Sequence, residues 1–396
     1  MRLAYICADP GVPVFGHKGC SIHVQEMIRA LRKQGVQVEL FATRLGGEPP
    51  PDLETLPIHR LPHLPKGEPN IREKAALAAN YDLLAVLEHK GPFDLVYERY
   101  SLWSFAGMEY AHARSVPGIL EVNAPLIEEQ AAYRSLIDRD SAEHVAARVF
   151  NSATVLSAVS KEVAAYLERY LISQNHLYVV PNGVNPDRFP PDLKSICPST
   201  SKNFTVGFVG SLKPWHGLPV LVEAFAILHQ RVPKSRLLIV GDGTEKADLV
   251  ADLSARGLLE AAHLTGAVPP NEVPELLASM DVAVAPYPDQ SQFYFSPLKV
   301  YEYMAAGVPV VASRIGQLEE LIQDKVNGIL CPPGDAMALA AALGRLRWQS
   351  QLRVRLGQAG RATVLKNYTW DAIVQRLLNL CSMNTASEPR CVEAKT

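Results

Sequence analysis

The sequence predicts an α/β protein built from two doubly wound domains. Its 396 residues are too many for one ordinary hydrophobic core. Two successive series of short apolar runs alternate with segments of helical periodicity, which is typical of parallel sheets covered by helices on both faces. A connector rich in proline and serine, residues 186–201, separates the two series. We therefore expect two domains that face each other across a cleft, with ligands bound at the carboxyl ends of the strands.

The first series opens with a β-loop-α-β unit. A strand at residues 3–8 is followed by a loop of glycine and proline at 9–19, a helix near 21–34 and a strand at 36–42. Residues 49–69 contain seven prolines and are expected to be irregular. Further strands are predicted at 95–97, 118–122, 154–158 and 177–180, and further helices near 71–90, 102–114, 126–150 and 160–170.

The second series repeats this alternation and is followed by a closing helix at 370–381. Its predicted strands are 205–209, 236–240, 262–264, 282–285 and 308–312, and its predicted helices lie near 217–231, 244–256, 271–279 and 297–306. The expected domains are residues 1–185, completed by the helix at 369–382, and residues 186–368, with a flexible tail at 383–396.

Composition excludes some classes of function. The formal charge of −2 offers no basic field for nucleic acid. The six cysteines show no paired spacing typical of a metal site, and the N-terminus reads as a strand and not as a signal peptide. No apolar stretch reaches the roughly 18 residues that a membrane span requires. We expect a cytoplasmic protein without a bound metal, and peripheral contact with the inner face of a membrane stays open.

The segment 296–313 predicts a nucleotide site. Ser296 as N-cap, Pro297 at the first helical position and a glycine past the end outline a short helix that leads into an apolar strand. The free N–H groups of Leu298 and Lys299, with the helix dipole, favour a phosphate. Glu302 lies one turn later, where its carboxylate can accept hydrogen bonds from ribose hydroxyls.

A plainer interpretation of the same helix is a Lys299–Glu302 pair on a solvated surface. The remaining side chains argue against it, because they are too apolar for an exposed helix: Val300, Tyr301, Tyr303 and Met304. The nucleotide interpretation is therefore preferred.

Several motifs in order along the chain resemble those of one enzyme family. They are Pro181-Asn-Gly-Val-Asn-Pro-Asp-Arg-Phe189, Val240-Gly-Asp-Gly243, Gly328-Ile-Leu-Cys-Pro-Pro-Gly-Asp335 and Tyr368-Thr-Trp370, besides the segment around Glu302. Together they are similar to the retaining glycosyltransferases of family 4, which have the GT-B fold of two Rossmann-like domains. The resemblance covers nearly the whole chain.

The resemblance implies transfer of a sugar from a UDP- or GDP-type nucleoside diphosphate sugar to an acceptor hydroxyl. The anomeric configuration would be retained, and neither a metal nor a cofactor besides the donor would be required. The acceptor would be a glycan, a lipid-linked chain or a small molecule, as in the synthesis of polysaccharides, glycolipids or glycosylated natural products.

The resemblance also implies donor-site residues, and the chain departs from the family at some of them. In Gly210-Ser-Leu-Lys-Pro-Trp-His-Gly217 the family has arginine directly after the first glycine and lysine directly before the last, where this chain has Ser211 and His216. Lys213 is the candidate cation that stabilises the leaving diphosphate, with His216 sharing it. Gly19 belongs to the glycine-rich loop that approaches the donor.

A further departure concerns the donor sugar. The family has two glutamates separated by seven residues; Glu302 matches the second, but Tyr294 stands at the first position. Sugar recognition would then use backbone N–H groups of this loop or the Tyr294 hydroxyl. The base would be recognised by backbone near Gly241, Gly243 and Val268.

On the acceptor side, Asn123 stands where many family members have a histidine near the reacting carbon. An amide cannot act as a general base, so Asn123 would orient or hydrogen-bond while the leaving phosphate takes the acceptor proton. Glu98 and Arg99 could line the acceptor pocket, or pair with each other in a structural role. His23 could be structural or part of the site.

Three alternatives differ in function class. A dinucleotide site in the first domain is disfavoured, because the glycines lack the Gly-x-Gly-x-x-Gly spacing. The departures at Ser211, His216 and Tyr294 leave a degenerate sugar-nucleotide-binding protein as a non-enzyme alternative. A related GT-B epimerase or phosphorylase is the third.

Overall fold

The computed structural model describes residues 1–65, 67–195, 203–290 and 293–387. For residues 385–387 it describes the backbone only. The described chain divides into two compact units. The first unit contains Met1–Asn182, Tyr294–Ser296 and the chain from Trp370 onward, and the second contains Gly183–Phe293 and Pro297–Thr369. The last six residues of the predicted connector, 196–201, lie outside the described residues.

Strands and helices alternate through both units. The strands are β1 Arg2–Cys7, β2 Gln37–Ala42, β3 Ile58–Arg60, β4 Leu95–Arg99, β5 Gly118–Val122, β6 Val155–Ala158, β7 Leu177–Val179, β8 Phe204–Val209, β9 Ser235–Val240, β10 Ala262–Gly266, β11 Val282–Ala285, β12 Val310–Ser313 and β13 Ile329–Cys331. The helices are α1 Gly19–Lys33, α2 Pro69–Lys90, α3 Ala106–Ala113, α4 Leu126–Tyr133, α5 Arg139–Ser152, α6 Lys161–Leu167, α7 Leu218–Arg231, α8 Lys246–Ala255, α9 Val273–Leu277, α10 Leu298–Ala305, α11 Gln317–Leu321, α12 Ala336–Trp348, α13 Ser350–Asn367 and α14 Trp370–Ser387.

Each unit is built on one parallel sheet. The first sheet has the order β3-β2-β1-β4-β5-β6-β7 and the second the order β10-β9-β8-β11-β12-β13. Both orders reverse direction next to the first strand of their series, as in doubly wound folds that bind ligands at this switch point. The central strands are buried on both faces, which explains their continuous apolar runs. The predicted α/β class with two doubly wound sheets is confirmed.

The core of the first unit lies between β4, β5 and β6 and the helices that cover them. Leu120 and Leu156 from the sheet share one cluster with Leu87 of α2 and Phe150 of α5, and all four are fully buried. Helix α14 packs against α1 in this unit and continues to Ser387, so residues 383–387 of the predicted tail are helical. The rest of that tail, 388–396, lies outside the described residues.

The core of the second unit lies under β8 and β9. Phe204 and Phe208 of β8 pack with Phe225 of α7 and Leu343 of α12, again fully buried. None of the described helices is long and apolar enough to cross a membrane.

The single helix predicted for 126–150 is wrong, because the structure has α4 and α5 with a break between them. Asp138 caps α5 by accepting a hydrogen bond from the Ser141 N–H at 3.0 Å. Glu73 of α2 accepts hydrogen bonds from the backbone N–H groups of Ile137 and Asp138, both at 2.9 Å. A side chain about 65 residues earlier thus stabilises the break.

Other differences concern short elements. The proline-rich stretch 49–69 contains the edge strand β3, and the helix predicted from 102 begins only at Ala106. Strand β13 and helices α11 to α13 follow the last strand that the sequence analysis assigned.

Candidate active site

The loops after β8 and β9 lie side by side at the carboxyl edge of the second sheet. The Gly210 N–H donates to the Val240 carbonyl at 2.9 Å, because these strands pair in register. A side chain on Gly241, whose φ is +141°, would lie 2.0 Å from the Gly210 carbonyl oxygen. A side chain on Gly243 would lie 2.2 Å from the Leu212 carbonyl oxygen. Gly241 and Gly243, which are predicted to recognise the base, therefore allow the backbone after β9 to contact the backbone after β8.

Helix α10 begins one residue later than the sequence predicts. Pro297, with ψ of 99°, is the N-cap and not the first helical residue, and no side chain caps the helix. Ser296 is consequently outside the helix, and its role as N-cap is corrected. Leu298 and Lys299 are the first two helical residues, and their amides donate to no other described residue. The helix N-terminus thus keeps the free donors that the phosphate prediction requires.

Glu302 is paired with Arg188, which the sequence analysis did not select. The Arg188 Nη1 donates to Glu302 Oε1 at 2.7 Å, and both side chains are about four-fifths buried, at 19% and 18% exposure. The Arg188 Nη2 also donates to the carbonyl of Pro270, in the loop that contains the half-buried Val268. The alternative interpretation of α10, a Lys299–Glu302 pair on a solvated surface, is therefore wrong. Arg188 lies within the Pro181–Phe189 motif, which was the available signal.

The Lys299 side chain turns back beneath the loop that starts at Gly210. Its Nζ atom is buried, lies 4.3 Å from the ring centre of Phe208 and 5.4 Å from that of Tyr287, and has no hydrogen-bond partner in the described structure. Burial lowers the pKa of Lys299 to about 7. The sequence predicts a role for Lys299 through its backbone N–H only.

His216 lies beside this ammonium group and carries no charge near neutral pH. Burial, followed by the charges of Lys299 and Lys213, lowers the pKa of His216 to about 3. Its Nδ1 is 2.5 Å from the Ser211 carbonyl oxygen, so Nδ1 carries the proton and donates it. The ring therefore brings no positive charge to a diphosphate. The Lys213 ammonium is partly buried and pairs with no described side chain, and it stays the candidate cation of this loop.

Tyr294 and Ser296 belong to the first unit and form hydrogen bonds within it. The Tyr294 hydroxyl donates to the Glu129 carboxylate, and the Tyr294 carbonyl accepts from Ser160 Oγ at 2.9 Å. Asn182 donates to Ser296 through its backbone N–H and its side chain, at 3.0 and 2.8 Å. The hydroxyl proton of Tyr294 is thus donated to Glu129, while the hydroxyl oxygen keeps the capacity to accept a hydrogen bond.

A buried polar cluster lies at the carboxyl ends of β4 and β5 in the first unit. His23 Nε2 is 2.8 Å from Glu121 Oε1, and Arg99 Nη1 lies 3.3 Å from His23 Nδ1 and 3.7 Å from Glu121 Oε2. Burial acts to raise the pKa of Glu121, but His23 and Arg99 outweigh it and hold that pKa below its usual value. Asn123, which follows β5 directly, also acts to lower the pKa of Glu121 through its side chain. Gly19 is the first residue of α1, the helix that carries His23.

Glu98 points to the other face of β4 from Arg99. Ser104 Oγ donates to Glu98 Oε1 at 2.5 Å, and a side chain on Gly107 would collide with the carboxylate. Burial raises the pKa of Glu98 to about 7. The alternative of a Glu98–Arg99 pair is therefore wrong, because successive strand residues face opposite sides of the sheet.

A cavity of about 770 Å³ opens at the carboxyl ends of β1, β2 and β4 in the first unit. Its charged lining residues are Asp9, Arg44, Arg72, Glu73, Glu129 and Arg134. None of the acceptor-side residues predicted from the sequence, His23, Glu98 and Arg99, is among the lining residues. The acceptor-side role of these three residues stays a prediction, and the cavity is lined by loop residues together with residues of α2 and α4.

The carboxylates of this cavity are engaged within the protein. Glu73 holds the start of α5, Glu129 accepts from Tyr294, and Asp9 accepts from the Gly11 N–H at 2.7 Å. The three arginines are exposed and form no ion pair with a described residue. The cavity thus holds three carboxylates, whose negative charges persist although their oxygens accept hydrogen bonds, and three guanidinium groups that are free to bind an anion.

Comparison with protein families decides the identity of the chain. Residues 17–188 match the family model described as Glycosyltransferase Family 4, and residues 203–347 match that described as Glycosyl transferases group 1. The two matches cover most of both units. The chain belongs to glycosyltransferase family 4. It is a glycosyltransferase with a Rossmann-like sheet in each unit.

Full-length relatives and solved structures agree with this family. The D-inositol 3-phosphate glycosyltransferase of Xylanimonas cellulosilytica is 27% identical over 94% of this chain and 93% of its own length. That of Jonesia denitrificans is 26% identical over 97% and 98%. Anabaena Alr3699/HepE in complex with UDP superposes with a TM-score of 0.73 at 19% identity, covering 97% of this chain and all of the other.

A sucrose-phosphate synthase from Thermosynechococcus elongatus also has this glycosyltransferase fold. It superposes with a TM-score of 0.72 at 22% identity, over 98% of this chain and 100% of its own. At such low identity these structures establish the GT-B fold alone. Within this family 4 glycosyltransferase, no group of three His, Cys, Asp or Glu side chains in the described part of the chain could hold a metal ion.

Proposed function

We propose that this glycosyltransferase transfers a sugar, with retention, from a UDP- or GDP-type nucleoside diphosphate sugar to an acceptor hydroxyl. The observation that carries the proposal is the start of α10. Two amides there lack partners, and Glu302 lies one turn later with its carboxylate oriented by Arg188. A diphosphate at the amides would place its ribose near this carboxylate. Alr3699/HepE, which has the same fold, has been crystallised with UDP and with UDP-glucose.

The chemistry then requires positive charge where the diphosphate leaves. The bond from the anomeric carbon to the phosphate oxygen breaks, its electron pair stays on that oxygen, and the acceptor oxygen bonds to the same face of the sugar. The acceptor proton moves to the leaving phosphate oxygen, so no side-chain base is needed. Lys213 and the α10 amides would stabilise the phosphate charge, and we infer that neither a metal nor another cofactor is required.

We place the acceptor in the arginine-lined cavity of the first unit. Arg44, Arg72 and Arg134 bring guanidinium groups without an ion-pair partner there, and such groups can bind an anionic hydroxyl compound such as a sugar phosphate or an inositol phosphate. The names of the relatives from Xylanimonas and Jonesia include such an acceptor. The role of Asn123 would be to orient the reacting groups from the end of β5.

A product assay tests this function. The protein is incubated with UDP- and GDP-sugars and a panel of hydroxyl acceptors, half of them phosphorylated, with and without EDTA. We expect an α-linked product from an α-linked donor by NMR, unchanged by EDTA, and higher turnover with phosphorylated acceptors. Lys213→Met should lower kcat by at least tenfold at unchanged thermal stability.

Other results would redirect the proposal. An inverted product would refute the retaining mechanism, and nucleotide binding without hydrolysis or transfer would support the alternative of a degenerate sugar-nucleotide-binding protein. Loss of activity in EDTA would refute metal independence. Equal turnover of neutral and phosphorylated acceptors would refute the anionic acceptor.

A further inference from the structure

The side chain of Lys299 presents a cation that the fold itself does not neutralise. Its ammonium group lies under the loop that begins at Gly210, in contact with the faces of Phe208 and Tyr287. The carboxylate nearest along the helix, Glu302, pairs with Arg188 instead. Lys299 therefore has no anionic partner among the described residues.

A buried ammonium without a partner is costly to the folded protein. Its remaining stabilisation comes from two aromatic faces, which replace only part of the lost hydration. His216, which lies beside Lys299, is neutral and adds no negative charge. Such an arrangement is typical of a group that awaits an anionic ligand.

The direction of the side chain indicates where this ligand binds. The Nζ atom is 3.0 Å from the position of a side chain on Gly210, so the absence of that side chain leaves the ammonium room at the loop. The free amides of Leu298 and Lys299 begin the adjoining helix α10. Amides and ammonium thus converge on one edge of the second sheet. Ser211, the next loop residue, is uncharged.

We propose that the Lys299 side chain binds the diphosphate of the donor, as a second cation beside Lys213. The inference rests on the proposed function, since a nucleoside diphosphate is the anion that this site would take. Lys299 would contribute charge from below the loop, and Lys213 from the loop itself. The chain would in this way meet the phosphate charge without a cation at position 211.

The test measures binding of UDP, GDP and uridine to the full chain by calorimetry. Variants are Lys299→Met, Lys299→Met with Ser211→Arg, and the control Lys234→Met, which changes an exposed lysine. We expect Lys299→Met to weaken binding of the preferred diphosphate about 10- to 100-fold, in line with the loss of a charged hydrogen bond. Uridine, which lacks phosphate, should bind as before. Ser211→Arg should restore part of the lost affinity by returning a cation to the loop.

Thermal unfolding distinguishes binding from a structural role. Because methionine removes an unpaired buried charge at similar volume, the midpoint of Lys299→Met should equal or exceed that of the wild type. A lower midpoint with equal loss of UDP and uridine binding would overturn the inference, as would unchanged UDP affinity. A wild type that binds neither UDP nor GDP would overturn the proposed function itself, and the role of Lys299 with it.

Discussion

Replacing Glu302 by alanine should weaken binding of a ribonucleoside diphosphate far more than binding of its 2′,3′-dideoxy analogue. The carboxylate lies one turn from the free amides of α10, and Arg188 holds it at 2.7 Å. A ribose placed by a diphosphate at those amides would donate two hydroxyl hydrogen bonds to it. The dideoxy analogue has neither hydroxyl but keeps the base and both phosphates.

The size of the effect follows from these contacts. Two hydrogen bonds to a charged group contribute about 3–6 kcal/mol, but part is lost because the carboxylate already interacts with Arg188 in the free protein. A net loss of about 2–4 kcal/mol corresponds to roughly 30- to 1,000-fold in Kd. Removing Glu302 also leaves the largely buried Arg188 without its carboxylate, which should lower the unfolding free energy by about 1–3 kcal/mol because Arg188 keeps its bond to the Pro270 carbonyl.

Calorimetry with UDP, GDP and their dideoxy analogues measures this difference, and chemical denaturation measures the stability. Glu319→Ala is the matched control, since Glu319 is an exposed glutamate on the short helix α11. Glu319→Ala should change neither the affinity for nucleotides nor the unfolding free energy. If Glu302→Ala weakens binding of the dideoxy analogue by the same factor as binding of the ribonucleotide, the carboxylate does not bind ribose and the prediction is refuted.

Three further predictions concern stability. Tyr303→Phe should lower the unfolding free energy by about 2–4 kcal/mol in urea titration, because the hydroxyl bonds both the N–H and the carbonyl of Val209, at 2.8 and 3.1 Å; an unchanged midpoint would contradict this. Since burial raises the pKa of Glu98 from 4.5 to about 7, the contribution of this carboxyl to the unfolding free energy should fall by about 3 kcal/mol as pH rises from 4.5 to above 7, and it is measured as the difference between wild type and Glu98→Gln. Glu98→Gln should lack this decline in denaturation at pH 5 and pH 8, and parallel curves would refute the assignment. Gly241→Ala should lower the unfolding free energy by more than about 2 kcal/mol, because the new side chain would lie 2.0 Å from a backbone oxygen. The control Gly257→Ala, at a φ of +68° with no neighbouring atoms, should lower it by about 1 kcal/mol. Equal thermal midpoints for the two variants would contradict this prediction.

The fold was largely predictable because its strands are buried on both faces. Such strands read as continuous apolar runs between turn residues, and the runs gave the central strands of both sheets to within a residue or two. The edge strand β3 was missed since its three residues, Ile58–Arg60, stand among prolines and lack an apolar run. The division between α4 and α5 depends on Glu73, a contact that no local pattern could indicate.

The candidate site was predictable only as far as it is local. The helix start at 297–299 and the position of Glu302 follow from short-range rules of capping and helical spacing. The cluster around Glu121 depends on register, because Arg99 of β4 lies opposite Glu121 of β5. Register between strands about 22 residues apart cannot be read from either segment alone.

The direction of a long side chain is the part that sequence reasoning handles least well, and Lys299 shows why this matters for function. At the second position of a short helix, lysine normally reaches solvent, and there its charge would contribute little to an anion bound at the helix start. Here the aromatic faces of Phe208 and Tyr287 draw the stem inward, where the surroundings screen charge poorly and each interaction with a phosphate is stronger. Phe208 lies in β8 and Tyr287 in the loop after β11, so the position of the ammonium is a property of the tertiary fold. A cation that is absent at position 211 of the loop can therefore be replaced by Lys299, which is distant in sequence. Comparing the loop motif alone with that of the family would miss this cation.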